Sequence, residues 1–122
     1  MANFADLIGK TLVSMTGNPG DDEITFYCTD GSAFKLYHSQ DCCETVEVES
    51  ITGDPADLIG SPVTLAEEST SDTNPPGVPV PEYQDSFTWT FYKFATRKGY
   101  VDVRWYGESN GYYSESVDFA EA

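Results

Sequence analysis

Histidine is nearly missing from this chain: His38 is the single one among 122 residues. A nucleophile that needs an imidazole base therefore has one place to sit, and no serine or cysteine elbow motif accompanies it. No glycine-rich loop of the phosphate-cradling kind is present either, which argues against nucleotide turnover. Cations are scarce, with 6 Lys and Arg against 21 Asp and Glu and a formal net charge of -15. Three cysteines, Cys28 and the adjacent Cys42-Cys43, are too few for a disulfide framework and fit a reducing compartment. No apolar run reaches 18 residues, and no basic segment followed by an apolar stretch opens the chain, so neither a transmembrane helix nor a standard signal peptide is expected. The expected setting is the cytoplasm, away from any membrane.

Metal chemistry is also poorly served. Cys28, His38, Cys42 and Cys43 would supply a zinc-type donor set, but a hairpin turning at Asp30-Gly31 puts Cys28 and His38 at opposite ends, roughly 17 Å apart at about 3.3 Å per residue. A smaller set of His38, Asp41 and the cysteine pair is the remaining arrangement. Gly20-Asp21-Asp22-Glu23 lacks the alternating oxygen ligands of a calcium loop. No metal, cofactor or catalytic residue is expected, and the chain reads as a non-enzyme. A dyad of His38 with Cys42 or Cys43 is the enzymatic rival.

What the chain does contain is a repeated phrase. Ala5-Asp6-Leu7-Ile8-Gly9 recurs as Ala56-Asp57-Leu58-Ile59-Gly60, and Thr25-Phe26-Tyr27 as Thr90-Phe91-Tyr92. With two-residue turns at Asp30-Gly31 and Arg97-Lys98, Phe26 would face Lys35 and Ile24 face Tyr37, while Phe91 faces Arg104 and Trp89 faces Tyr106. Each copy reads as a short helical turn, a strand, a hairpin and a last strand. The strands fall near 11–15, 23–29, 32–38 and 44–52, then 63–67, 87–95, 99–106 and 114–119. The expectation is one all-β domain over 1–122, an antiparallel sheet or sandwich of about eight strands built from pseudo-repeats 5–53 and 56–119. Residues 68–85 hold four of the seven prolines and read as a long loop inserted in the second repeat only.

Charge and aromatics suggest binding rather than chemistry. Eleven acids and no Lys or Arg lie between Leu36 and Tyr92, whereas Lys93, Arg97, Lys98 and Arg104 gather on one hairpin. Such a chain disfavours direct contact with nucleic acid and favours a protein partner with a basic surface, including a carboxylate display of the DNA-mimic kind. In the second hairpin Tyr92, Phe94, Val101, Val103 and Trp105 alternate onto a core face. The opposite face carries Trp89, Phe91 and Tyr106 with Lys93, Asp102 and Arg104. Lys93 and Asp102 are expected to pair, and Arg104 to stack on Phe91 or Trp89. The candidate binding residues are Lys35, His38, Asp41, Trp89, Phe91, Arg104, Tyr106, Asn110, Tyr112 and Tyr113. The last three share a Tyr/Ser/Gly/Asn composition typical of recognition loops. A small nucleotide-like ligand between Lys35, Arg104 and their aromatic neighbours is the second reading, a virion or structural component the third, and a homodimer is compatible with each.

Three segments, Tyr37 to Glu44 (YHSQDCCE), Phe87 to Thr96 (FTWTFYKFAT) and Trp105 to Phe119 (WYGESNGYYSESVDF), resemble a family of small acidic proteins of unknown function encoded mainly by bacteriophages and by bacteria carrying related elements. The resemblance covers nearly the whole chain. It implies a phage-type accessory protein in the bacterial cytoplasm, and it carries over no activity, cofactor or site residue.

Overall fold

A computed structural model describes residues 3–40, 43–75, 86–111 and 114–122. Asp41, Cys42, Tyr112, Tyr113 and most of the proline-rich segment lie outside the described residues. The expected all-β class is found. Eight strands run β1 (Leu12–Thr16), β2 (Glu23–Cys28), β3 (Ala33–Tyr37), β4 (Thr45–Thr52), β5 (Leu65–Ser71), β6 (Ser86–Thr96), β7 (Gly99–Ser109) and β8 (Asp118–Glu121). They form two four-stranded antiparallel sheets, β1-β2-β3-β8 and β4-β7-β6-β5. Their inner faces meet in one hydrophobic core that includes Phe26, Leu36, Val48, Phe94, Val101 and Trp105.

The ADLIG phrases become two 3-10 turns, Phe4–Leu7 and Pro55–Leu58. Asn3 and Asp54 cap them, and the Asp54 side chain accepts from the Ala56 N–H at 3.0 Å. Leu7 and Leu58 are fully buried, and Gly9 and Gly60 leave the turns at φ +89° and +82°. The exits then bond to one another reciprocally: Gly9 N–H donates to the Val63 carbonyl at 2.8 Å and Gly60 N–H to the Leu12 carbonyl at 3.0 Å. These ties join the two halves of the chain.

The halves also trade strands. β1, β2 and β3 form a meander, yet β4 leaves it to pair with β7, and β8 crosses back to complete the first sheet beside β3. Each meander is closed by the last strand of the other half of the chain.

The second hairpin turns at Arg97-Lys98 with the expected register: Phe91 faces Arg104, Trp89 faces Tyr106 and Lys93 faces Asp102. The first hairpin is one residue out. Thr25 faces Lys35, Phe26 faces Phe34 and Ile24 faces Leu36. Cys28 N–H donates to the Ser32 carbonyl at 2.9 Å, so Thr29, Asp30 and Gly31 form a three-residue connection with Gly31 at φ +86°. Asp-Gly serves a three-residue loop as readily as a two-residue one, provided glycine takes the left-handed position. Two strand limits differ as well. β5 continues to Ser71, so residues 68–71 belong to a polar edge strand rather than to the insertion. β8 begins only at Asp118, because Glu115 and Ser116 are held by bonds to other segments.

Candidate functional site

The outer face of the second sheet is built in rows across four strands. Directly paired residues share a face, so register gives each row. One row is Glu47, Tyr106, Trp89 and Ser71, the next Ser50, Arg104, Phe91 and Ser69, and the third Thr52, Asp102, Lys93 and Glu67. Aromatic rings therefore pack along the sheet: Phe87 and Tyr106 stack with centroids 6.3 Å apart, and Tyr106 and Trp89 meet tilted at 4.7 Å. The Arg104 guanidinium lies 5.1 Å from the Trp89 ring centre, and its Nε donates to Glu49 Oε2 at 2.6 Å. Glu49 is the extra residue at the β4 bulge between Val48 and Ser50, which re-aims it from the strand edge toward the arginine. That hydrogen bond holds the Glu49 carboxyl below the usual carboxylate range, against a smaller opposing effect of burial.

Trp89 is only 3% exposed although it sits on the outward face. Asn74, at the start of the β5–β6 connection, folds over it and accepts from Trp89 Nε1 at 3.1 Å. Phe91 is left half-buried in a concavity of about 400 Å³ with Lys93, Arg104, Glu67 and Asp102 around it. Lys93 faces Asp102 and Glu67 across the strands, and its ammonium lies 5.5 Å from the Tyr100 ring centre.

Of the candidate residues, Trp89, Phe91, Arg104 and Tyr106 thus come together on one surface. Lys35 does not join them. It lies on the outer face of the first sheet, 4.6 Å over the Tyr37 ring and 3.8 Å from Glu23, so Lys35 and Arg104 cannot clamp one ligand. Asn110 follows the end of β7, roughly 13 Å along the strand from Tyr106 at about 3.3 Å per residue. Asp41, Tyr112 and Tyr113 lie outside the described residues.

His38 is not on the surface at all. Its side chain is 3% exposed and that of Glu44 is 0%, with His38 Nε2 2.9 Å from Glu44 Oε2. Nδ1 lies 2.7 Å from the Ser116 carbonyl, which can only accept, so Nδ1 carries a hydrogen. A carboxylate meets Nε2, and one further proton is shared between ring and carboxyl. Gln40 Nε2 donates to the Glu44 backbone carbonyl and to Oε1. Beside this network Glu115 accepts from Thr88 Oγ1 at 2.8 Å and from Ser109 Oγ at 2.5 Å. Both ring nitrogens are engaged and shielded from solvent, so the arrangement joins strand ends rather than presenting a base to a substrate. Of the described cysteines, Cys28 is a buried free thiol and Cys43 is disulfide-bonded, so neither offers His38 an exposed thiol. That corrects the expectation of a cysteine set without disulfides.

Sequence reasoning missed Glu44 as the partner of His38, Glu49 as the partner of Arg104, and Asn74 as the cover on Trp89. Only the first left a signal, an acid six residues from the single histidine.

Among the described residues there is no group of three or more His, Cys, Asp or Glu placed to hold a metal ion, and no helix long and apolar enough to cross a membrane. No curated protein and no solved structure matches the chain. One family does, over residues 5–119: a domain of unknown function, DUF7448.

Proposed function

The chain belongs to the DUF7448 family, and from that premise we propose that it is a binding protein without catalysis of its own, which engages and modulates a protein partner carrying a basic surface. The observation that carries this reading is the concavity around Phe91. An aromatic ring with its neighbours already packed together and its arginine already paired resembles the centre of a recognition surface, where pre-ordered aromatic and Arg side chains contribute most. Carboxylates at Glu67 and Asp102 flank it, and a chain of net charge -15 steers cationic partners toward itself. A partner Lys or Arg stacked on Phe91 would meet Glu67 and Asp102 with its charged end. Phage-type accessory function in the bacterial cytoplasm is the context we propose, with the two halves of the chain arising by duplication. A cytoplasmic site requires Cys43 to be reduced in cells, which thiol alkylation before lysis reads directly.

The test is capture from bacterial lysate on the immobilised protein. A basic protein retained at low salt, released at high salt and lost with Phe91→Ala supports the reading. Retrieval of nothing at low salt overturns it. The small-ligand reading keeps one supporting observation, the position of the same concavity beside Lys93 and Arg104. A nucleotide that raises the melting temperature of the wild type but not of Arg104→Ala would move the assignment to that class.

A further inference from the structure

A second surface, remote from Phe91 in character, lies where the sandwich opens along one side. β5 and β8 are edge strands of their sheets, and a groove of about 840 Å³ runs between them beside the first 3-10 turn. β5 lends it the alternate residues Ala66 and Glu68, as a strand does when one face looks into a groove. β8 and the residue before it lend five consecutive residues, Val117 to Glu121, as a strand does when its backbone edge is what faces the opening.

The direction of the β8 backbone groups follows from one bond. Ala122 N–H donates to the Ala33 carbonyl at 2.9 Å, so residues 122, 120 and 118 turn toward β3. Phe119 and Glu121, one residue out of phase, turn their N–H and C=O groups the other way, into the groove. No backbone bond among the described residues takes them up. The opposite side of the sandwich is treated differently: there the Gly17–Asp22 connection covers the β4 edge, with Gly20 N–H donating to the Val48 carbonyl and Val48 N–H to that of Asp21.

The groove's side chains specify what would fill it. Phe4, packed edge-on against Phe119 at 5.6 Å, supplies an apolar wall. Asp6, Glu68, Asp118 and Glu121 supply carboxylates, and no Lys, Arg or His lines it. Behind Phe4, whose ring centre is 4.8 Å away, Tyr92 is 1% exposed. Burial first, then the charge of Glu68 and a hydrogen bond to it, and last the charge of Asp118, push the pKa of its hydroxyl well above the ordinary value, so it stays protonated.

We propose that this groove docks an extended, basic segment of a partner protein, which adds to the free edge of β8 as a fifth strand of the first sheet and sets its Lys or Arg side chains against Glu68 and Glu121. Main-chain bonds to Phe119 and Glu121 give affinity, and alternation of basic and small apolar residues matches the two walls. A second copy of this chain is a poor occupant, since its net charge of -15 repels another copy and it holds only six bases.

The probe is a capped eight-residue peptide of alternating Lys and Val, titrated into the full isotopically labelled chain and followed by amide chemical shifts. Expected are changes concentrated at Val117 to Glu121 and at Glu68, with slowed exchange at the Phe119 and Glu121 amides. Glu121→Pro removes an outward N–H while sparing the β3 ladder and should weaken binding about fivefold or more, whereas Glu121→Gln, which removes charge alone, should weaken it about two- to threefold. Phe91→Ala should leave the isotherm unchanged, which separates this site from the one proposed above. Shifts spread over the whole acidic surface, or centred on Phe91, overturn the proposal. So does equal binding by Glu121→Pro and wild type, or protection of the β8 edge by self-association without peptide.

Discussion

His38 and Glu44 share a proton where almost no water reaches, and that gives each a different cost of removal. Replacing His38 with Leu strips the buried Glu44 carboxyl of its imidazole partner, and the expected loss is about 3–5 kcal/mol in urea denaturation. Replacing both, His38→Leu with Glu44→Met, should cost less than the single change, because no orphaned charge remains. Arg104 and Glu49 form a more exposed pair, so Glu49→Gln should cost only about 0.5 kcal/mol at neutral pH. Its sign with pH follows from the carboxyl lying below its ordinary range when folded. The pair's stabilisation is present above the unfolded carboxylate value and is lost as pH falls through the lower folded value. The gap between wild type and Glu49→Gln should therefore close as the pH falls below the ordinary carboxylate range. Neither pair was legible in the sequence. Glu44 lies six residues from His38, but the carbonyl that fixes the ring belongs to Ser116, 78 positions away.

At the scale of elements, the two hairpins show what a turn motif can and cannot decide. Arg97-Lys98 stands between two long alternating strands, and the alternation alone fixes which residues pair. Asp30-Gly31 marks a turn without stating its length, and a one-residue difference moved Lys35 from Phe26 to Thr25. The face assignment of the first hairpin survives, since Ile24, Phe26, Phe34 and Leu36 are all buried. Gly31→Ala meets open space but must hold φ +86°, so it should cost about 1 kcal/mol. Gly107→Ala fails for the other reason: a Cβ there would stand 2.7 Å from the Glu115 carbonyl oxygen and 3.2 Å from Val46 Cγ2. We expect Gly107→Ala to lose more than Gly31→Ala, about 2 kcal/mol or more as an overpacked core position does, with both read from the same denaturation series. The concave face of β4–β7 was legible in its aromatic and charged alternation. Its cover was not, because Asn74 reaches Trp89 from a connection with no periodicity to read.

The whole molecule holds 21 acids in a compact sandwich, and their mutual repulsion is screened by salt. Its melting temperature should rise from 10 mM to 500 mM sodium chloride, and a flat response would show the charges to be too far apart to matter. The exchange of β4 and β8 between halves makes a second prediction. Residues 1–53 and 54–122, made separately, should each lack a cooperative unfolding transition, and mixing them should restore one. The repeats, turn signals and alternation indicated the number of strands and their antiparallel class, but no local pattern reports which meander a strand will join.

That exchange also sets an order of events on the ribosome. β3 emerges early with one edge bare, and its partner β8 follows only after the rest of both sheets has been made. The first sheet cannot close until residues 118–121 have been made, so the nascent protein carries an unsatisfied strand edge from the synthesis of β3 to that of β8. A chain so rich in carboxylates is well suited to that interval, because charge keeps neighbouring nascent copies from pairing there first.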